Sequence, residues 1–252
     1  MVVKAYAEPP TQLVDLLGQL ERQGLASGLA PSVAPLLDFR PELNLLVMGW
    51  LDGPAGRDLI AGGRGARAGE LAASWTRRTA ALDLSLGEPF DPPAVLHDAA
   101  RWVRDLGKAS PELGLQAEDR VRALSTALPP RTSMGTRHAS FSPSHVLDLG
   151  DGPGVIDWDS HHHGPVELEA GMFLASLVRL VSGRRRLAGE AAAADAALRS
   201  GVSDLVHPET LEWYRSAMLV KLAKYLSHRR PRRWRDRATE LLSEARLALA
   251  SR

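Results

Sequence analysis

The sequence predicts an α+β fold: a small strand-bearing segment over residues 1–52, then a mainly helical body over 53–252 that carries one short hairpin at 137–159. Three observations lead there. Apolar runs of strand length cluster before residue 52. After it, apolar residues recur at spacings of three and four, the period of helices packed on one face. Between the helices, two short apolar runs flank the glycine-rich turn Gly150-Asp151-Gly152-Pro153-Gly154, the pattern of a hairpin.

In chain order, Val2-Val3-Lys4-Ala5-Tyr6 reads as a strand. Glu8-Pro9-Pro10-Thr11 opens a helix, with Thr11 as candidate cap, and Leu13, Leu16, Leu17 and Leu20 give helical spacing up to Gly24. Pro31 to Leu37 reads as loop and short strand. Leu43 to Leu51 is an apolar run of strand length, the pattern of a buried strand, and Asp52-Gly53-Pro54 ends it. Arg57 to Arg67, rich in Gly and Arg, reads as loop. Helices are predicted over 71–86, from Asp91-Pro92-Pro93 through Asp105, and over 115–127, closed by Pro129-Pro130. Beyond the hairpin, His161-His162-His163-Gly164-Pro165 reads as loop and Glu167 to Val181 as an amphipathic helix. Helices over 187–200, 208–226 and 232–251 complete the chain.

Composition narrows the function classes. A formal net charge of +1 leaves no global field demanding an anionic partner. The chain has no cysteine, which excludes disulfides and thiolate-bound zinc and suits a reducing cytoplasm. Met1-Val2-Val3-Lys4 is too short and too early in charge for a secretory leader, and no apolar run approaches membrane-spanning length. Neither a membrane nor nucleic acid is therefore an expected partner.

The chemistry concentrates in Arg137 to Asp159, RHASFSPSHVLDLGDGPGVIDWD. Asp157 and Asp159 stand at i and i+2, so on an extended strand both carboxylates share one face. Such a pair at the mouth of a hairpin can hold a hard cation such as Mg²⁺. The stretch resembles the catalytic segment of the aminoglycoside phosphotransferase and choline-kinase-like family, relatives of the protein kinases. That segment runs approximately H-G-D-x-x-x-x-N, a hydrophobic strand, a turn, and I-D-W/F. His138, Phe141, Pro143 and Asp157 match it at preserved spacing. The family's catalytic Asp falls on Ser140 and its metal-binding Asn on His145.

The resemblance implies a protein-kinase-like fold of aminoglycoside phosphotransferase type, with ATP and Mg²⁺ as cofactors. It places Lys4 at the lysine that pairs with nucleotide phosphates, and Met48 and Trp50 on the strand and hinge beside the adenine. Asp157, Asp159 and His145 fall at the metal, and His138, Ser140 and His145 in the catalytic loop. Glu169 takes the place of the Asp that braces that loop, and Pro165 that of a loop Asp. Leu13 stands where the lysine's usual acidic partner belongs, with Asp15 nearby. The two strands and glycine-rich loop that precede the lysine in the family are absent from the sequence, so the small lobe is expected to be reduced.

Each candidate carries a second meaning. A serine at 140 has no basicity near pH 7 and marks a retired base. An imidazole at 145 suits softer ions than Mg²⁺, or acid–base work, or simply fills a loop. Lys4 holds phosphate or is an exposed terminal charge. His138 packs beneath the loop. His161, His162 and His163 alternate in direction, so at most two share a ligand. The run from His228 to Arg237, HRRPRRWRDR, could bind an anionic peptide, nucleic acid or phosphate, or be a solvated interhelical turn. The expected function is a degenerate phosphotransferase-like protein that keeps a ligand or metal pocket, either a pseudokinase-type accessory or an enzyme of altered chemistry. The alternatives are an active ATP- and Mg²⁺-dependent phosphotransferase acting on a hydroxyl of a small molecule or peptide, and an interaction scaffold. The expected partners are a small-molecule or peptide ligand in the cleft, and a partner protein or second copy on the open edge of the reduced lobe.

Overall fold

The computed structural model describes residues 1–130 and 132–250. In chain order its elements are β1 (Val2–Ala5), α1 (Thr11–Arg22), β2 (Ser32–Val33), β3 (Leu36–Arg40), β4 (Leu45–Met48), α2 (Gly56–Ala61), α3 (Gly65–Ala80), α4 (Pro92–Ala109) and α5 (Pro111–Thr126). They continue with β5 (Met134–Arg137), β6 (Val146–Asp148), β7 (Pro153–Val155), β8 (His162–Pro165), α6 (Val166–Val181), α7 (Ala188–Val202), α8 (Pro208–Arg229) and α9 (Trp234–Ala250). Residue 251, the last of the expected final helix, lies outside the described residues. Among the described residues, no helix is long and apolar enough to cross a membrane.

Strands gather into three small sheets, in the orders β1–β4–β3, β2–β7–β6 and β5–β8. The first is antiparallel and places Lys4 opposite Leu46. In the second, β6 and β7 form the predicted hairpin, with Val146 opposite Val155, and β2 joins β7 in parallel. That parallel pairing ties the first forty residues to the hairpin that carries the site.

Two apolar clusters make the core. One joins α1, β2 and β4 to α2, α3, α6, α7 and the hairpin. The other is built from α4, α5, α8, α9 and further residues of α6. Helix α6 therefore lies between them, and every residue from Val166 to Leu177 is buried, Glu167 and Glu169 included. The amphipathic expectation fails over that stretch because the helix is packed from both sides.

Other expectations are corrected for local reasons. The loop expected over 57–67 is mostly helix, covered by α2 and the start of α3. Gly65 there, and Gly69 one turn further along α3, serve contact instead of flexibility. A Cβ on Gly65 would lie 2.0 Å from the Glu190 carbonyl oxygen, and one on Gly69 2.2 Å from that of Ala194. Helices α3 and α7 thus meet backbone to backbone. Helix α3 ends at Ala80 and not at 86, because the following residues run beside β5. There the Thr136 amide donates to the Leu84 carbonyl at 2.9 Å, and the Leu86 amide to Thr136 Oγ1 at 2.8 Å.

The histidine run is not a loop either. His162 and His163 belong to β8, opposite Arg137 and Thr136. The strand expected over 43–51 shrinks to β4, since Pro41 starts a 3-10 turn through Leu43 and Asn44 is left-handed at φ 53°. Thr11 is the first residue of α1 and not its cap, and Pro10 at the cap position makes no side-chain bond. Asp91 does cap α4, its Oδ1 accepting the Ala94 amide at 3.0 Å.

Candidate functional site

The hairpin is held in place from below. Arg67 on α3 reaches Asp148 at the end of β6 with two hydrogen bonds, at 2.7 and 3.1 Å, and donates to the Gly150 carbonyl at 3.0 Å. This guanidinium keeps the Asp148 carboxyl below its ordinary range. The chain then leaves β7 and bends sharply. Asp157 is left-handed at φ 71°, and Trp158 to Ser160 form a 3-10 turn. The two acids therefore do not sit on an extended strand, as their i, i+2 spacing suggested. The turn brings both carboxylates onto Lys4 by another route.

Lys4 Nζ donates to Asp157 Oδ1 and to Asp159 Oδ2, each at 2.5 Å. Tyr6 Oη donates to the other oxygen of Asp159 at 2.5 Å. Lys4 and Tyr6 stand two residues apart at β1, on one face of the strand. Burial raises the carboxyl of Asp159, but the Lys4 and Tyr6 hydrogen bonds outweigh it and pull the group down to about 2. Leu13, at the position of the expected acidic partner, is instead buried core.

Below the turn lies His138, fully buried. Its ring is stacked on His145 at 5.1 Å and tilted against Trp158 at 4.9 Å. Its backbone amide donates to Glu169 Oε2 at 2.8 Å, so Glu169 does brace the loop. Nε2 lies 2.8 Å from the Ile156 carbonyl, which can only accept, so that nitrogen carries the proton. Nδ1 is then the acceptor for the Ser140 hydroxyl at 3.0 Å. The pair has the outline of an activated serine without its basicity: burial and the nearby His145 push His138 down to about 3, leaving it neutral and weakly basic. Between them Ala139 is left-handed at φ 57°. With Asp157, that puts two non-glycine residues of this short segment in sparsely populated backbone, where such strain commonly marks a functional site.

The donor set has the chemistry for a hard cation, with two carboxylates and, 3.7 Å from Asp157 Oδ2, the imidazole Nε2 of His145. The space does not fit it. The position between the carboxylates is filled by the Lys4 ammonium, and a divalent ion could enter only by displacing it. Among the described residues, no group of three or more His, Asp or Glu side chains is arranged to hold a metal.

Two cavities meet at this point. The smaller, about 330 Å³, lies between the first sheet and the hairpin, with Lys4, Met48, Trp50, His145, Asp157 and Asp159 in its lining. Met48 is buried, while Trp50 is 67% exposed at the rim. The larger, about 1400 Å³, runs from Ser140, His145 and Asp157 to the corner between α8 and α9. His138 opens onto neither. His145 and Asp157 belong to both.

A sequence model of the family described as "Phosphotransferase enzyme family" matches residues 4–205. The chain belongs to the phosphotransferase enzyme family. A glucosamine kinase superposes on it with a TM-score of 0.64 at 18% identity, over 99% of this chain and 74% of that one. A choline/ethanolamine kinase family protein from Mesorhizobium loti gives 0.61 at 12% identity, covering 98% of this chain and 81% of its own. An aminoglycoside-3'-phosphotransferase of type VIII gives 0.55 at 18% identity, over 84% and 81%. At these identities the likeness is one of fold, and the fold is protein-kinase-like. No curated protein matches the sequence.

Within this family member, reading the sequence missed several residues that face the site. Tyr6 was legible in principle from its alternation with Lys4. Arg57, Arg179, Arg184 and Lys221 line the larger cavity and come from four separate elements or loops, with no shared motif to announce them. The His228 to Arg237 run is more than a solvated turn: Arg229, Arg232, Arg233 and Arg237 form part of the cavity wall.

Proposed function

We propose that this phosphotransferase-family protein is a ligand-binding, pseudokinase-type protein, an accessory subunit or an enzyme of altered chemistry, with its phosphate-gripping end closed on itself. The observation that carries this is the Lys4 ammonium seated between Asp157 and Asp159. Phosphoryl transfer needs the lysine on the nucleotide's phosphates and the carboxylates on the metal, each neutralising a different part of the developing charge. Here the two halves neutralise each other. Ser140 supplies no base, and His138, held neutral, does not replace one.

The character of the larger cavity supports altered chemistry. The choline, ethanolamine, glucosamine and aminoglycoside in the names of the fold's neighbours are amines, cationic near neutral pH. The cavity in this chain is lined by nine Arg and Lys side chains against three Asp and Glu. Such a wall repels a cationic acceptor.

The test is direct. The purified protein is mixed with ATP and Mg²⁺, and thermal shift and ADP release are recorded. The expected result is no ADP release and no stabilisation that depends on Mg²⁺. Magnesium-dependent turnover in the range typical of kinases, about 1–100 s⁻¹, overturns the proposal. The alternative, an ATP- and Mg²⁺-dependent phosphotransferase acting on a hydroxyl of a small molecule or peptide, draws on one observation. The smaller cavity is mostly apolar, with Met48 and Trp50 placed to flank a flat base and Lys4 and Asp157 at its polar end. In that case Lys4 would leave the carboxylates for the phosphates.

A further inference from the structure

The larger cavity holds positive charge that the protein does not balance. Arg179 on α6, Arg184 after it, Lys221 and Arg229 on α8, Arg232 in the corner and Arg237 on α9 all line it. Among the described residues, none of these six makes an ion pair. The acids that line the same cavity are already engaged: Asp157 with Lys4, Asp236 with Arg233 at 2.9 Å, and Glu240 with Arg185 at 2.7 Å. The whole chain carries only +1, so the excess is local to this cleft.

Gathering like charges without counter-ions is costly, more so where water is thinned. Arg179 sits far enough in for burial, with the charges of Arg237 and Arg229, to lower its pKa. Burial likewise pulls Lys221 down to about 8. Arg237 makes a single long contact, Nη2 to the Arg179 carbonyl at 3.4 Å, and its Nε is buried with no partner. Gly183, left-handed at φ 92°, lets that side chain pass at about 3.5 Å from where a Cβ would stand. Two further lining groups are also unsatisfied. Ser176 and Ser182, each 2% exposed, have hydroxyls with no hydrogen-bond partner. Buried polar atoms are normally paired, so three orphans around one cavity call for a ligand.

We propose that this cleft binds a small molecule carrying at least two phosphate groups, held between the α6 side and the α8–α9 corner. Planar guanidinium forks match phosphate oxygens two at a time, and arginines outnumber lysine five to one among the six unpaired cations. The apolar lining residues Met172, Leu180, Leu222 and Leu226 provide the wall for the rest of the molecule. The proposal rests on the cleft being the ligand pocket of the function proposed above, and it names the class of ligand.

The full-length protein is titrated calorimetrically with inorganic pyrophosphate, and with inorganic phosphate, choline, polyglutamate and a single-stranded oligonucleotide as comparators. The variant is the double substitution Arg229→Gln with Arg232→Gln. Both side chains are exposed, so the fold does not depend on them. Arg101→Gln on α4 is the control. Pyrophosphate is expected to bind more tightly than phosphate, with choline giving no heat. The double variant should lose roughly tenfold per arginine removed, and the control nothing. Three results overturn the proposal: no binding of pyrophosphate, binding that ignores the double variant, or tighter binding of polyglutamate or the oligonucleotide. The two proposals fail separately. ATP turnover with corner-dependent pyrophosphate binding sinks only the closed phosphate end, whereas absence of both sinks only the anion site.

Discussion

At Lys4 a single ammonium serves two carboxylates, so removing it leaves Asp157 and Asp159 facing each other without a counter-ion. Lys4→Met is expected to cost about 1 kcal/mol, since the pair is partly open to water, and to strengthen Mg²⁺ binding at the freed carboxylates. Thermal shift with and without MgCl₂ reads both effects. Asp159 adds a pH signature. Its folded pKa of about 2 lies below the ordinary 3.8, so the stabilisation it brings is present above pH 4 and is lost as pH falls towards 2. Glu169 has the opposite sign. Burial pushes it up to about 7 from 4.5, so between those values the folded chain holds a proton that the unfolded chain has released. Stability should therefore fall as pH rises across that window, and Glu169→Gln should flatten the slope in urea unfolding at pH 5 and 7.5. At this scale the sequence was informative where spacing mattered. Asp157, His138 and Glu169 were found from the motif they match. What local spacing could not supply was the partner of Lys4, because the acids reach it through a left-handed turn from the far side of the fold.

Helices α3 and α7 show how composition misleads at the next scale. GGRGARAG has the look of a flexible loop, yet two of its glycines are the contact surface of a helix. Gly69→Val is expected to push the helices apart at a cost of about 1–3 kcal/mol. Gly189→Ala on α7, where a Cβ meets nothing within 4 Å, should instead be neutral or stabilising by up to about 1 kcal/mol. Chemical denaturation of the two variants separates contact from flexibility. Helix α6 misled in a related way. Its amphipathic reading left Glu167 free for a solvated face, yet both of its glutamates are buried in service of loops: Glu169 under His138, as the motif implied, and Glu167 receiving the His207 amide at 3.0 Å. Strand β8 was hidden because Gly164 and Pro165, strong turn signals, here pair with Gly135 and Met134.

For the molecule as a whole, the first apolar cluster runs from Leu13 to Leu211 and so crosses residue 52 without a break. The segment before that point is not expected to melt alone. Calorimetry should show one cooperative transition, and two separated transitions would contradict this. The fold class was readable because helical periodicity and the hairpin are local properties. The basic cleft was not, because it draws on Arg57, α6, the α6–α7 connection, α8 and α9, and only the packed chain brings them together. Strand β2 has one more implication. Ser32 and Val33 are zippered in parallel to Gly154 and Val155, and Ser32, Val33 and Val155 are wholly shielded from water. Any breathing of the N-terminal layer away from the helices must tear that short seam and wet two valines.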